Sequence, residues 1–304
     1  MNLNLKQNYK AYLLVGYAFL LLIHFVLKDR FFPLSIIFYG SPLIIIIGTT
    51  LFLVVLFYKK KIYRYTLLIT SALLIFIWFN NYYYQTNTKH QENNSKILYW
   101  NLAKKKQLPI RHILEKANTY QPEILAFVEA PQKTLKNLDE LKKVLPNYNF
   151  KTLKGAMLVA SKGDIKLLNL EYVDDSHKAN LIEIKFNSKT IKFILADLTA
   201  NLLVNKKKPM TFISGFAKNE AVDFIVGDFN TPYESVYFKA FKNDFNSFHT
   251  YNNGLTATWP LGIPLLELDH IWLSNKHQPI QLHKFYNKAS DHALLIAEYK
   301  LNRN

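Results

Sequence analysis

Asn101, Glu129, Asp228, Asn230, Asp269, Asp291 and His292 are the side chains of this 304-residue sequence whose types and spacing could do chemistry. Each lies beside a short apolar run. Asn101 closes the run at 97–100, Glu129 the run at 124–128, and Asp228 with Asn230 the run at 224–227; Asp269 precedes the run at 271–273 and Asp291-His292 the run at 293–295. Runs of this length read as strands. In layered α/β folds the ends of neighbouring strands converge on one edge, where sites are built. Glu129, Asp228, Asp269 and Asp291 gathered there without a counter-charge would repel one another strongly in a low-dielectric pocket. A hard divalent cation, which prefers oxygen ligands, makes sense of the arrangement.

The elements that must position them form a mixed α/β domain. A helical segment over 109–120 separates the first two strands, and Leu135, Leu138, Leu141 and Leu145 fall at helical spacing over 132–145. Further strands are expected at 156–160, 165–173, 181–186 and 191–198, with Asn187-Ser188-Lys189 as a hairpin turn. Thr231-Pro232-Tyr233-Glu234 has the form of an N-cap, a proline at the first helical position and a capping-box glutamate, so a helix should start there. His270 falls on the opposite face of its strand from Asp269 and reads as packing.

Ahead of this domain the sequence is of another kind. Apolar runs at 11–27, 34–58 and 65–79 approach the length of membrane spans once flanking aromatics are counted. Residues 1–84 thus read as a membrane segment with three transmembrane helices, the second kinked at Pro42, residues 85–95 as a polar linker, and residues 96–304 as the α/β domain. The formal charge of +16 suggests nucleic acid at first sight, yet only Arg30, Arg64, Arg111 and Arg303 are arginines, the residue favoured for bidentate phosphate and guanine contacts. Eight basic residues and one acidic precede Lys89, so part of the charge is a topology signal. The absence of cysteine excludes disulfides, thiolate zinc sites and a cysteine nucleophile.

Trp100-Asn101, Val128-Glu129, Gly227-Asp228-Phe229-Asn230, Leu268-Asp269-His270-Ile271 and Ser290-Asp291-His292 resemble, in order, the motif set of the endonuclease/exonuclease/phosphatase family, whose members include DNase I-like nucleases, abasic-site endonucleases, inositol-phosphate phosphatases and neutral sphingomyelinases. Gly155-Ala156-Met157-Leu158 followed by Ser161, and residues 256–260, add weaker matches. The resemblance covers about residues 96–301. It implies a DNase I-like layered α/β sandwich, two packed mixed β-sheets flanked by helices, behind the three transmembrane helices. It also implies Glu129 as principal metal ligand with Asn101 and Asp291 close to it, Mg2+ or Mn2+ as cofactor, and His292 as the catalytic histidine, held by Asp269. Asp228 would orient the attacking water and Asn230 would donate to a phosphoryl oxygen. One position departs: a second histidine common in the family falls on Asp197 here, where a carboxyl would donate a proton only if its pKa were raised, or would serve as another metal ligand.

The sequence therefore supports a membrane-anchored, divalent-metal-dependent phosphoester hydrolase. Its substrate would be nucleic acid or a lipid headgroup, its surroundings the lipid bilayer of a bacterial-type plasma membrane, and no protein partner is inferable. The alternative, motivated by Asp197, is a degenerate domain that binds a phosphorylated ligand or partner without turnover. Lys6, Lys10, Lys59, Lys60, Lys61 and Arg64 put the amino terminus in the cytoplasm by the positive-inside rule, and three crossings carry the domain outside. A reporter active only outside the cytoplasm, fused after Ser95, is expected to be active, and a cytoplasm-only reporter silent; the reverse pattern overturns this orientation.

Overall fold

The computed structural model describes residues 3–86, 94–105, 107–130, 135–174, 177–186, 189–261, 263 and 265–302. They divide into two units, Met1–Tyr82 with Asn201–Asn205, and Tyr83–Ala200 with Lys206–Asn304.

In the first unit, α1 (Leu3–Leu22) continues through a π-helical turn at Ile23–Leu27, followed by α2 (Phe32–Gly40), α3 (Leu43–Leu56) and α4 (Lys61–Tyr82). Tyr17, Leu43, Ile46, Ile47, Leu53, Leu67 and Leu74 pack together inside, and the Tyr17 hydroxyl lies 2.6 Å from Thr50 Oγ1. Val15, Phe52, Val55, Ile69 and Phe76 are exposed instead. Residues Tyr9–Leu27 and Lys61–Tyr82 are each long and apolar enough to cross a membrane. The second apolar run differs from the expected kinked helix: α2 and α3 meet at a break bent by 75°, and count as a third span only if taken together. Gly40-Ser41-Pro42 accounts for it, because proline lacks the N–H for the helical ladder and disfavours helical backbone at the residue before it.

The second unit begins with β1 (Tyr83–Tyr84), β2 (Ser95–Asn101), α5 (Ile110–Tyr120), β3 (Ile124–Val128), α6 (Leu135–Val144), β4 (Asn149–Leu153) and β5 (Met157–Ser161). It continues through β6 (Asp164–Asp174), β7 (His177–Phe186), β8 (Lys189–Asp197), α7 (Lys207–Asn219) and β9 (Phe224–Asp228). Last come α8 (Phe241–Asp244), β10 (Phe245–Ser247), β11 (Gly254–Leu255), β12 (Asp269–Ser274), β13 (Gln278–Phe285) and β14 (Leu294–Lys300). Two six-stranded sheets result, β13-β14-β2-β3-β5-β4 and β10-β12-β9-β8-β7-β6, each mixed because β2–β3 and β8–β9 run parallel. Asn187 and Ser188 of the expected turn lie outside the described residues, but Phe186 pairs with Lys189 across the antiparallel β7–β8 ladder. Residues 132–134 of the expected helix lie outside them too, and α6 occupies the remainder.

Strand alternation sorts the side chains into layers. Ile97, Tyr99, Ala126, Val128, Ile182, Phe193, Leu195, Val226, Ile271 and Leu295 fill the space between the sheets. Leu98, Trp100, Leu125 and Phe127 point the other way, onto Ile113 and Ala117 of α5 and Leu138 and Leu141 of α6. Ile194, Ala196 and Ile225 do the same against Met210, Ile213 and Ala217 of α7. The architecture is the expected sandwich of two mixed sheets between helices.

The helix expected at Thr231 is absent. Thr231 donates its hydroxyl back to the Phe229 carbonyl, and the capping falls on Ser235, whose Oγ accepts from Tyr237 N ahead of a short 3-10 turn at Val236–Lys239. Gly227 has a steric reason: a Cβ there would lie 2.0 Å from the Ala196 carbonyl oxygen of the parallel neighbour β8. Gly227→Ala is expected to destabilise this unit by about 3 kcal/mol or more. Gly215→Ala, on the exposed side of α7 with nothing nearby, should stabilise it by about 0.5–1 kcal/mol. Urea unfolding of the detergent-solubilised chain, followed by tryptophan fluorescence, checks both.

Candidate active site

The inner face of the second sheet changes character at one end. Along β8 it reads Phe193, Leu195, then Asp197; along β9, Phe224, Val226, then Asp228; along β12, from the other direction, Leu273, Ile271, then Asp269. The ladders align these ends: Lys178 of β7 pairs with Asp197, Asp197 with Asp228, and Asp228 with Asp269. Four strands thus present one row, Lys178, Asp197, Asp228, Asp269, at the mouth of the apolar sandwich. Opposite it, the inner face of β2 runs Ile97, Tyr99, Asn101.

Hydrogen bonds tie the two sheets together across this mouth. Asn101 Nδ2 donates to Asp228 Oδ2 at 2.8 Å, and Tyr99 donates its hydroxyl to Asp269 Oδ1 at 3.0 Å. Asp269 Oδ2 takes the His292 Nδ1 proton at 2.8 Å, leaving His292 Nε2 3.9 Å from Asp228 Oδ2. Backbone contacts fix the imidazole: Trp100 Nε1 donates to the His292 carbonyl, and His292 N donates to Ser290 Oγ, which in turn donates to the Asn101 carbonyl. Thr258 Oγ1 accepts from the amides of Leu268 and Asp269 and orients the start of β12. Asn230 donates its amide N–H to Asp228 Oδ1 and its side-chain Nδ2 to the Leu198 carbonyl, both at 2.8 Å.

Glu129 stands just past β3 with φ +50, a left-handed backbone that costs a branched-Cβ-free but bulky residue about 1–2 kcal/mol. Its neighbours hold it there, through Leu102 N to the Val128 carbonyl and Ala130 N to the Ala156 carbonyl. Its carboxylate meets Lys104 Nζ at 3.0 Å, an ion pair whose lysine is 71 % exposed and therefore weak. Asp291 accepts from Trp259 Nε1 through Oδ2, while its Oδ1 is buried without a hydrogen-bond partner.

The electrostatics follow from crowding. Burial works to lower the pKa of His292, but the charge and hydrogen bond of Asp269, with Asp228 and Asp291 nearby, raise it from 6.5 to about 10. Burial, and then the Asp269 charge, push Asp228 well above the carboxylate range, opposed by His292. Burial likewise lifts Asp197 to about 6 against the pull of Lys178, whose ammonium is 3.4 Å from Asp197 Oδ2. Asp228, Asp269 and His292 offer ligand atoms within 4.8 Å of one another, a group different from the Glu129, Asn101 and Asp291 set read as metal ligands from the sequence. The Asp269–His292 bond engages two of its members; Asn101 Oδ1 likewise accepts from Ala103 N and Glu129 is paired with Lys104, while one Asp291 oxygen is buried without a hydrogen-bond partner. With all groups ionised, Glu129, Asp197, Asp228, Asp269 and Asp291 outnumber Lys104, Lys178 and His292 by two charges, the deficit one divalent cation fills.

Residues 98–292 match the Endonuclease/Exonuclease/phosphatase family. The chain belongs to this family. Membership makes it a phosphoric ester hydrolase, of a family whose enzymes generally depend on divalent metals. Among solved structures, truncated Caenorhabditis elegans TDP2 is similar at 13% identity and TM-score 0.56, covering 70% of this chain and 100% of that one. An endonuclease/exonuclease/phosphatase family protein from Bacteroides thetaiotaomicron has 12% identity and TM-score 0.54 over 70% and 100%. A Bacteroides thetaiotaomicron mannosyl-6-phosphatase has 12% and 0.53 over 67% and 99%. At such identities these share the fold. No curated protein matches the chain in sequence.

The sequence reading omitted Tyr99, Lys104, Lys178, Thr258 as an orienting group, and Ser290 as a support for His292. None carries a local signal of its own; each owes its place to register or to a contact across sheets. The raised pKa of His292 gives a sign to the stability of the site. Because the folded protein holds this proton more tightly than the unfolded chain, the stabilisation is fully present below about pH 6.5 and is lost as pH rises toward 10. In EDTA, the melting temperature of wild type should exceed that of Asp269→Asn by several degrees at pH 6, and the gap should close by pH 10. A gap independent of pH contradicts the imidazolium.

Proposed function

We propose that the protein is a membrane-anchored, Mg2+- or Mn2+-dependent phosphodiester hydrolase acting outside the cytoplasm on substrates near the bilayer. The observation that carries the chemistry is His292, bonded through Nδ1 to buried Asp269 with Nε2 facing Asp228, at the open end of the sandwich. An imidazolium there donates to a phosphoryl oxygen, and Asp269 and Tyr99 keep its ring oriented. Asp228, made more basic by burial, orients the attacking water and accepts its proton, with Asn101 and the Asn230 amide fixing the two carboxylate oxygens. Glu129, Asn101 and Asp291 would hold the cation, which when bound acts as a Lewis acid and neutralises phosphoryl charge.

A diester carries one negative charge and a monoester up to two, so a site rich in carboxylates favours the diester. The exposed apolar faces of the spanning-length helices support anchoring in a bilayer, and a tether raises the effective concentration of substrates there. Phospholipid headgroup diesters fit that setting best. Nucleic acid is the second substrate to test, since a similar fold, D. rerio TDP2, has been seen complexed with single strand DNA product.

Full-length protein in detergent, assayed with Mg2+ or Mn2+ against phospholipids, plasmid DNA, RNA and a generic diester, is expected to hydrolyse a diester class. Glu129→Ala and His292→Ala should each lower kcat/KM by about 10²–10⁴-fold. Absence of turnover on every substrate, with a melting temperature unmoved by metal, overturns this reading in favour of a ligand-binding domain.

A further inference from the structure

Lys178 is built into this end of the sandwich. It lies on β7, pairs in register with Asp197, and brings its ammonium to 3.4 Å from Asp197 Oδ2 and 3.4 Å from the Gly155 carbonyl oxygen. Its side chain is only 24% exposed. Gly155, at φ +87, is shaped for it: a Cβ at that position would lie 2.5 Å from Lys178 Cδ. A glycine where the lysine stem passes, an acceptor carbonyl and a carboxylate together hold the ammonium at the site rather than in solvent.

The position has a geometric meaning. Lys178 ends the row at which Asp269, with His292, stands at the other end. At about 4.8 Å per strand, Lys178 and Asp228 have backbones roughly 10 Å apart, with Asp197 between them. In-line displacement at phosphorus needs one set of groups beside the attacking oxygen and another beside the departing one. Asp228 supplies the first, with the His292 imidazolium beside it on a phosphoryl oxygen. Resting on the diester reading above, we propose that Lys178 is the catalytic cation on the leaving-group side, with Asp197 as its positioning residue.

In the step, the water oxygen forms the new P–O bond and its proton passes to Asp228. The P–O bond to the leaving group breaks with its electron pair on the leaving oxygen. Lys178 donates a hydrogen bond to that oxygen as its charge develops, and the departing oxyanion takes a proton from solvent. Asp197 thereby replaces an imidazole without having to act as an acid, because it aims the lysine that meets the leaving oxygen.

The test is a comparison of leaving groups within one protein preparation. Full-length wild type, Lys178→Met and Lys178→Arg are assayed with Mg2+ on methyl phenyl phosphate and methyl p-nitrophenyl phosphate. The phenyl ester departs as the more basic oxyanion and needs the cation more. Lys178→Met is expected to lower kcat on the phenyl ester by about 10²–10³-fold and on the nitrophenyl ester by less than about tenfold, with Lys178→Arg recovering much of the difference. The ratio of the two losses does not depend on how much of the variant folds. Equal losses on both esters, or none, overturn the role of Lys178 while leaving the diesterase reading intact; a wild type that cleaves neither ester overturns both.

Discussion

Three carboxylates on adjacent strands of one sheet, Asp197, Asp228 and Asp269, are the constraint the rest of the structure answers to. Parallel and antiparallel ladders put them in register, and burial at the mouth of an apolar sandwich weakens the solvent that would screen them. Each is given a partner drawn from elsewhere in the fold. Asp269 takes His292 and Tyr99, Asp228 takes Asn101 and the Asn230 amide, and Asp197 takes Lys178. Two of these donors, Tyr99 and Asn101, come from the opposite sheet. The crowding at Asp228 and Asp269 is therefore relieved by donors that arrive when the other sheet packs against this one, while Asp197 is met by Lys178 within its own sheet.

That dependence explains which parts of the site were legible from the sequence. Asn101, Glu129, Asp228, Asp269 and His292 stand next to their own strands, so an apolar run ending in a polar residue is visible locally. Lys178 carries no such local mark, because its meaning comes from pairing opposite Asp197 nineteen positions later in a ladder whose register the sequence does not display. Tyr99 packs in the core between the sheets, and only its hydroxyl, reaching Asp269, belongs to the site. Among the described residues Asp228, Asp269 and His292 bring their ligand atoms within 4.8 Å of one another, a proximity that spacing along the chain could not show.

The fold was legible to a similar depth and failed where two local signals competed. The alternation of strands and the leucine spacing of α6 survive because burial and periodicity agree. Thr231-Pro232 carries the N-cap pattern, but the threonine hydroxyl and carbonyl are engaged elsewhere, by Phe229 and by His270 Nε2 at 2.9 Å. A satisfied local turn outcompetes a cap. In the first unit, hydropathy favoured one long helix and Gly40-Ser41-Pro42 favoured a break; the backbone followed the latter with a 75° bend. Hydropathy is indifferent to direction, whereas a missing N–H and the steric demand of the proline ring are not.

The formal charge of +16 takes on a different sense beside this site. Most lysines are solvated and contribute little to any one contact, while the chemistry depends on a locally negative pocket embedded in a positive chain. Such a pocket attracts cations and repels polyanions at close range, so a phosphate ester can settle only where that negative charge has been offset. Lys178 offsets part of it at one end of the row and His292, bonded to Asp269, at the other. With Lys104 paired to Glu129 counted as well, the five carboxylates still exceed the three cations by two charges when every group is ionised, a balance that suits a divalent ion of oxygen preference.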